Sequence, residues 1–404
     1  MSLLVAFAAT LVVAVLLSRL ASRSVLSTAV LFLAVGIALG FAGAGPPGPD
    51  EPAVELVAEL ALVAVLYTDG MLAGSRDLTS AWRLPGRALL IGMPLTLAVT
   101  AGLAWLLLPL SVSESLLLGA ALAPTDPVFA SALVGRRGIP DRLRRLLNVE
   151  SGINDGLALP VVLVLLSFVG AEADIGAAFT ELVVGLVVGV GIPLAIVGLE
   201  RSRFFAARGV YEPLTGFAVG LLVYAVGRAT HANLFLAAFA AGVTVASLSP
   251  STREAFHEFG EIVSELLKLA ALLAFGTLIT PELLGRFGWA EAAFVVAAII
   301  VARPVALGIA LTGSSLSKRG LAAAAWFGPK GFASVVYGLL IAGARFDNAE
   351  YVFTLIAGVC VVSIVAHSST DVAVANRLAT DAETQPADSA SAGATGDGSS
   401  EPSG

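Results

Sequence analysis

The chain has 404 residues, of which 57% are hydrophobic and only 13% are charged, and its formal net charge at pH 7 is -7. A soluble domain has about 25% charged residues, so this composition excludes an ordinary soluble enzyme or binding module. The apolar runs are about 17 to 25 residues long, which is the length a helix needs to cross a bilayer, and they lack the alternation of a β-barrel. A single cysteine, Cys360, excludes an intramolecular disulfide and a cysteine-based metal cluster. The sequence therefore predicts an all-α polytopic membrane protein.

Charged residues and Gly/Pro clusters divide the chain into thirteen predicted spans. The spans cover residues 3–18, 25–42, 53–74, 87–108, 113–134, 146–170, 177–198, 211–227, 233–248, 262–280, 289–311, 320–342 and 350–369. No positive charge precedes the first apolar run, which predicts an uncleaved span rather than a signal peptide. Residues 1–370 thus form the predicted transmembrane domain. Residues 371–404, rich in Ala, Ser, Gly, Asp and Glu, are predicted to be a disordered acidic tail.

Lysine and arginine residues predict the orientation of these spans. With the N-terminus outside, the loops on the cytoplasmic side contain sixteen Lys and Arg residues, and the opposite loops contain only Arg228, Arg286 and Arg345. Short cytoplasmic loops accumulate positive charge. We therefore predict a multi-pass protein of the plasma membrane with its N-terminus outside and its C-terminus in the cytoplasm. We expect the protein to contact the lipid bilayer and not to bind nucleic acid.

Two of the predicted spans contain proline-rich interruptions. The fifth contains Pro124-Thr125-Asp126-Pro127, and the twelfth contains Gly328-Pro329-Lys330-Gly331. Proline removes a backbone donor and clashes with the preceding turn, so both helices must be discontinuous. Such a break is tolerated at membrane depth only where it is buried in protein or lines an aqueous cavity. With the seventh span as a linker, each break is fifth in its half, which predicts two inverted-topology six-helix repeats with an ion site at the midplane.

The sixth span carries polar residues in the middle of an apolar stretch. Its polar residues are Glu150, Ser151, Asn154 and Asp155. Helical spacing places Glu150 beside Asn154, and Ser151 beside Asp155. Because an ionisable group at membrane depth is costly to bury, Asp155 indicates a functional site. Asp126 has the same interpretation, since the ends of a broken helix present N–H and C=O groups that can bind ions.

The basic side chains within the predicted spans need partners that compensate their charge. Lys330 is interpreted as a structural cation that neutralises the carbonyl end of a half-helix. Arg303, in the eleventh span, needs a carboxylate partner, and Glu150 is the candidate. Lys268 lies three residues after Glu265, which favours local charge compensation.

Two further residues are open between a functional and a structural role. Asp69 lies near the end of the third span, where burial of a carboxylate costs less. His257 lies in a predicted cytoplasmic loop among charged residues, so it is either a pH sensor or an ordinary solvated histidine.

Several motifs, in their order and spacing, resemble those of the monovalent cation:proton antiporters, in particular the NhaP-like sodium/proton antiporter branch. They are APTDPV at 123–128, ESGINDG at 150–156, Arg303 in the eleventh span and GPKG at 328–331, and the resemblance covers residues 1–370. It implies a secondary transporter, not an enzyme. A homodimer would exchange Na⁺, or Li⁺, for H⁺ by alternating access, would contribute to pH homeostasis and would need no cofactor besides the transported ions.

The resemblance also implies roles for individual residues. Asp155 would bind the ion and the proton, and the Na⁺ shell would be completed by Asp126, Ser151 and the backbone carbonyl of Thr125. Asn154 would support the fifth-span break, Glu150 would pair with Arg303, and Asp69 matches an acidic residue that the branch often has at the end of its third helix. Asparagine before the key aspartate implies electroneutral exchange. Lys330 stands where many exchangers have arginine, which keeps the charge but removes the planar fork.

Other functions stay open. A K⁺/H⁺ antiporter or a cation channel could use the same scaffold. An intramembrane aspartyl protease also needs two aspartates within the bilayer. However, neither Asp126 nor Asp155 is preceded by a Gly-x-Gly pattern, and proteolysis would leave the two charge-bearing helix breaks unexplained.

Overall fold

The structure is a computed structural model that describes residues 3–21, 28–45, 52–73, 83–126, 141–169, 175–200, 211–314, 316–344 and 346–383. Within these ranges all regular secondary structure is helical. The longer helices are α1 (Leu3–Ala21), α2 (Thr28–Phe41), α3 (Pro52–Ala73), α4 (Arg83–Leu107), α5 (Val112–Ala121), α6 (Asp141–Val169), α7 (Ile175–Glu200), α8 (Glu212–Ala229), α9 (Leu234–Leu248), α10 (Pro250–Thr277), α11 (Trp289–Ala310), α12 (Lys318–Trp326), α13 (Phe332–Ala342) and α14 (Ala349–Glu383).

The long apolar helices agree with a polytopic membrane protein. Among the described residues, α4, α6, α7, α11 and α14 are long and apolar enough to cross a bilayer, and α1, α2, α5, α9 and α13 provide shorter apolar helices. Helical structure occurs within each of the predicted spans. The exact number of transmembrane spans and the inverted repeat stay predictions.

Helices α10 and α14 extend farthest beyond their predicted spans. Helix α10 begins at Pro250 rather than at residue 262. Ser249 caps this end by accepting a hydrogen bond from the Thr252 backbone N–H, and proline fits the first turn of a helix. At the other end of the chain, α14 continues past the predicted domain boundary at residue 370 to Glu383. The remainder of the predicted tail, residues 384–404, lies outside the described residues.

Close helix contacts hold α3 between α9 and α10. A Cβ atom on Gly242 of α9 would collide with the Tyr67 carbonyl of α3, so the two backbones touch only because this residue is glycine. On the α10 side, the Thr68 and Ser264 hydroxyls are 2.8 Å apart. These contacts bring the polar end of α3 close to the middle of α10.

Both helix breaks are present at the predicted positions. Helix α5 ends at Ala121, and residues 122–126 continue without helical structure. The rest of the predicted fifth span, residues 127–134, lies outside the described residues. In the twelfth span, residues 327–331 separate α12 from α13.

Candidate functional site

The two breaks are in contact and are joined by Asp126. The Asp126 backbone N–H donates to the Pro329 carbonyl at 3.0 Å, and the Phe332 N–H at the start of α13 donates to Asp126 Oδ2 at 2.9 Å. A carboxylate is a favourable cap because the N-terminus of a helix has unpaired N–H groups and partial positive charge. Gly331 has no room for a side chain, since its Cβ would collide with Asp126. Asp126 therefore caps α13, a role the sequence did not predict; its role as a cation ligand stays a prediction.

Lys330 binds the carbonyl end of α5. Its ammonium group lies 3.4 Å from the Ala123 carbonyl and 3.4 Å from the Pro124 carbonyl. The Ser334 hydroxyl donates to the Ala121 carbonyl at 2.8 Å, so the neighbouring carbonyl of the same end also has a donor. The last carbonyls of a helix lack internal partners and carry partial negative charge. This geometry agrees with the structural role predicted for Lys330.

Asn154 connects α6 to the fifth-span break. Its side-chain NH₂ donates to the Thr125 carbonyl at 3.0 Å and to the Thr125 hydroxyl oxygen at 2.9 Å. The contact expected between Asn154 and the break is thus present. A carbonyl oxygen has two lone pairs, so Thr125 keeps one for a further donor or a cation.

Glu150 and Arg303 form the ion pair that the sequence suggested. The guanidinium donates to the two carboxylate oxygens at 2.7 Å and 3.0 Å, and both residues are only 4% exposed. Arg303 also donates to the Ala324 and Phe327 carbonyls, each at 3.3 Å, at the C-terminal end of α12. Gly328 permits this approach, because a Cβ there would collide with the guanidinium. The pair is fully desolvated and connects α6 and α11 to the twelfth-span break.

Asp155 differs from these residues because one of its carboxylate oxygens has no hydrogen-bond partner among the residues that the structure describes. The residue is 6% exposed, and its Oδ1 makes no hydrogen bond with the described part of the chain. Asn154 Oδ1 is likewise buried and unpartnered there. Ser151 is buried one turn before Asp155 on α6, and the Tyr337 hydroxyl of α13 binds the Asp155 backbone carbonyl at 2.7 Å. Because unpaired buried oxygens are costly, Asp155 Oδ1 is the atom at which a proton or a cation would be stabilised most.

Comparison with known families identifies the kind of chain that carries this site. Residues 6–376 match the family described as "Sodium/hydrogen exchanger, transmembrane". The chain belongs to this family. Its fold is also that of a solved family structure: the sodium proton antiporter MjNhaP1 from Methanocaldococcus jannaschii matches with a TM-score of 0.74 at 18% identity, over 93% of this chain and 97% of that one.

Curated relatives of this exchanger-family chain carry potassium in their names. The K(+)/H(+) antiporter NhaP2 of Shewanella sp. (strain MR-4) is 27% identical over 91% of this chain. The K(+)/H(+) antiporter NhaP of Alkalimonas amylolytica is 25% identical over 87% of it. The chain spans 65% of the first relative's length and 62% of the second's.

Lys268 is the residue of this exchanger-family site that the sequence interpretation underrated. It interacts electrostatically with Asp126, Asp69 and Asp155 as well as with Glu265. Asp155 in turn interacts with Asp69, Asp126 and Lys268. Local compensation by Glu265 therefore describes only part of its surroundings. The available signal was its place in a strongly apolar stretch, where a charged side chain needs a specific environment.

His257, the candidate pH sensor, lies on α10 and not in a loop as predicted. Its exposed ring is 3.5 Å from Glu261, one turn along α10. Both side chains are about half exposed, so this surface contact contributes little.

Proposed function

We propose that this protein exchanges a monovalent cation for a proton across the plasma membrane, with Asp155 as the shared binding group. The observation that carries the proposal is the buried Asp155 Oδ1, which has no hydrogen-bond partner in the described ranges of the chain. A proton and a metal cation each satisfy this oxygen, and each excludes the other. Competition at one carboxylate couples the two fluxes, and it needs no cofactor.

The cation shell would combine one carboxylate with neutral oxygens. Among the described residues, no group of three or more His, Cys, Asp or Glu side chains is placed to hold a metal ion. A weakly bound, transported cation needs no such cluster. We assign its ligands to Asp155, to the Ser151 hydroxyl and to the Thr125 carbonyl, which are hard oxygen donors of the kind that alkali cations prefer. Asp126 would contribute through its charge and through the hydrogen bonds that hold the breaks together.

The charges around the site favour one-for-one exchange. Glu150 is neutralised by Arg303, and the residue before Asp155 is the neutral Asn154. Asp155 is then the carboxylate that alternates between a proton and a cation, so each half-cycle moves one positive charge. We propose that the exchange is electroneutral.

Alternating access would come from motion of one helix group against another. The two breaks are connected by Asp126 and Lys330, so they would move as one body together with Asp155. Rigid-body rocking around a fixed midplane site is the usual mechanism of transporters with broken helices. A homodimer would hold the second helix group in place, with the N-terminus outside and the C-terminus in the cytoplasm.

Sodium is the cation we propose first, by resemblance to the NhaP-like branch. Potassium is the second candidate, because the curated relatives described above are named K(+)/H(+) antiporters. The ligand set does not separate the two ions, since both bind oxygen donors.

The decisive experiment measures proton flux in proteoliposomes driven by Na⁺, Li⁺ or K⁺. We expect the wild-type protein to show saturable, cation-driven proton movement and Asp155→Asn to show none with any of the three ions. Glu350→Gln is the matched control, because Glu350 is an exposed carboxylate that pairs with Arg286. Wild-type exchange by Asp155→Asn would remove Asp155 from the site.

Two further measurements on the same preparation distinguish the alternative functions. The cation that gives flux at the lowest concentration identifies the substrate. On a solid-supported membrane, electroneutral exchange gives no sustained current, whereas a channel gives a current that is uncoupled from proton movement.

A further inference from the structure

The break between α12 and α13 is also held from a third side, by one turn of α14. The Ser363 hydroxyl accepts a hydrogen bond from the Lys330 backbone N–H at 2.8 Å. One turn later, the His367 Nε2 atom lies 2.9 Å from the Trp326 carbonyl. Trp326 is the last residue of α12, and Lys330 lies just before α13. Two side chains of α14 thus bind the two sides of the same break.

Both side chains are buried and are bonded to each other. Ser363 is fully buried, His367 is 3% exposed, and the Ser363 hydroxyl lies 3.1 Å from His367 Nδ1. The same Nδ1 atom lies 2.7 Å from the Ser363 backbone carbonyl, so each ring nitrogen faces a carbonyl oxygen. Donation from the ring to these carbonyls ties the imidazole both to its own helix and to the end of α12. A buried polar network of this kind helps to specify one geometry.

The network lies against a cluster of charged side chains. His367 interacts electrostatically with Lys330 of the break and with Arg303 of α11, and Arg303 in turn pairs with Glu150 of α6. The ring therefore connects α14 to the end of α12 beside this ion pair.

We propose that Ser363 and His367 are positioning residues of the exchange site. By fixing the Lys330 backbone, Ser363 keeps the ammonium on the Ala123 and Pro124 carbonyls, and so keeps the α5 break beside Asp155. His367 fixes the other side of the same break through Trp326. The expected effect of Ser363 and His367 on transport rests on the proposed cation:proton exchange. Their expected effect on the geometry of the break is independent of that function.

The first test is Ser363→Ala, studied by hydrogen–deuterium exchange and by transport. Loss of the acceptor should speed amide exchange in the peptide that covers residues 326–332 by about tenfold, the value of one buried hydrogen bond. Turnover should fall by a similar factor, with the thermal midpoint in detergent within a few degrees of wild type. Ser363→Thr keeps a hydroxyl and should restore both. Ser369→Ala is the control, since Ser369 is exposed and bonds only within its own helix.

The second test separates the hydrogen bond of His367 from its bulk. His367→Gln keeps a donor for the Trp326 carbonyl and should retain most of the turnover, whereas His367→Leu should lose it as Ser363→Ala does.

The outcomes distinguish this proposal from the proposed function. Wild-type amide exchange and turnover in Ser363→Ala would overturn the positioning role. If Ser363→Ala shows faster amide exchange but the wild-type protein transports no cation, the positioning role stands and the exchange function is overturned.

Discussion

The region where the two helix breaks meet and the buried face of α6 are neighbours, yet the polar groups of one are paired and those of the other are not. Where the breaks meet, Asp126, Lys330 and Arg303 each bind the backbone of a half-helix end. On α6, Asp155 Oδ1 and Asn154 Oδ1 have no hydrogen-bond partner in the described part of the chain. Both regions are buried, so solvent does not explain the difference.

This difference separates a scaffold from an exchange group. Broken helices expose unpaired carbonyl and N–H groups, which are tolerated in a membrane only when protein satisfies them. Once satisfied, they make a rigid frame. A group that binds and releases an ion must instead keep an oxygen that the frame does not occupy. Asp155 has such an oxygen, whereas one carboxylate oxygen of Asp126 accepts a hydrogen bond from the N-terminus of α13.

The largest effect on the frame should come from Arg303→Ala. The substitution leaves Glu150 as an unpaired buried carboxylate, which costs about 3–5 kcal/mol, and it also removes two donors to the α12 end. Thermal unfolding in detergent should show a much lower midpoint, and transport should be lost. In the double variant Arg303→Met/Glu150→Met no charge remains unpaired, so part of the stability should return. An Arg303→Ala protein as stable as wild type would contradict the rigid-frame interpretation.

A smaller effect should follow Gly331→Ala. The new Cβ atom would collide with Asp126 and push the two breaks apart, at a cost of roughly 1–3 kcal/mol. Cation-driven flux should fall further than the thermal midpoint, because the displaced segment carries the frame around Asp155. Gly343→Ala is the matched control, since a Cβ at the end of α13 makes only ordinary contacts. Equal flux and equal thermal midpoints in the two variants would show that the contact between the breaks tolerates displacement.

The smallest effect should come from Lys268→Gln, which tests the electrostatics of the exchange group rather than the frame. Removal of a positive charge that acts on Asp155 and Asp69 should strengthen cation binding by about threefold to tenfold, or ~1 kcal/mol. The half-saturating cation concentration should fall while maximal turnover changes little. Lys318→Gln, at an exposed position before the break, is the control. An unchanged half-saturating concentration would limit Lys268 to the local pairing with Glu265.

Several features of this protein could be predicted from the sequence because their causes are local. Apolar runs of bilayer length predict helices, and the proline-containing motifs at 124–127 and 328–331 predict where two of them are broken. The cost of burying charge singled out Asp155 and Asp126. Chemical complementarity alone suggested the pair of Glu150 with Arg303, and the two residues are in contact.

Only the tertiary structure decided which distant groups meet. Asp126 caps a helix that begins 206 residues later in the chain, and Ser363 on α14 binds Lys330, which lies 33 residues earlier in the break between α12 and α13. Helical periodicity specifies which residues share a face, but it does not specify which face of another helix packs against them. For that reason the sequence drew attention to His257, an exposed residue beside Glu261, and passed over His367, whose ring lies 2.9 Å from the Trp326 carbonyl at the break.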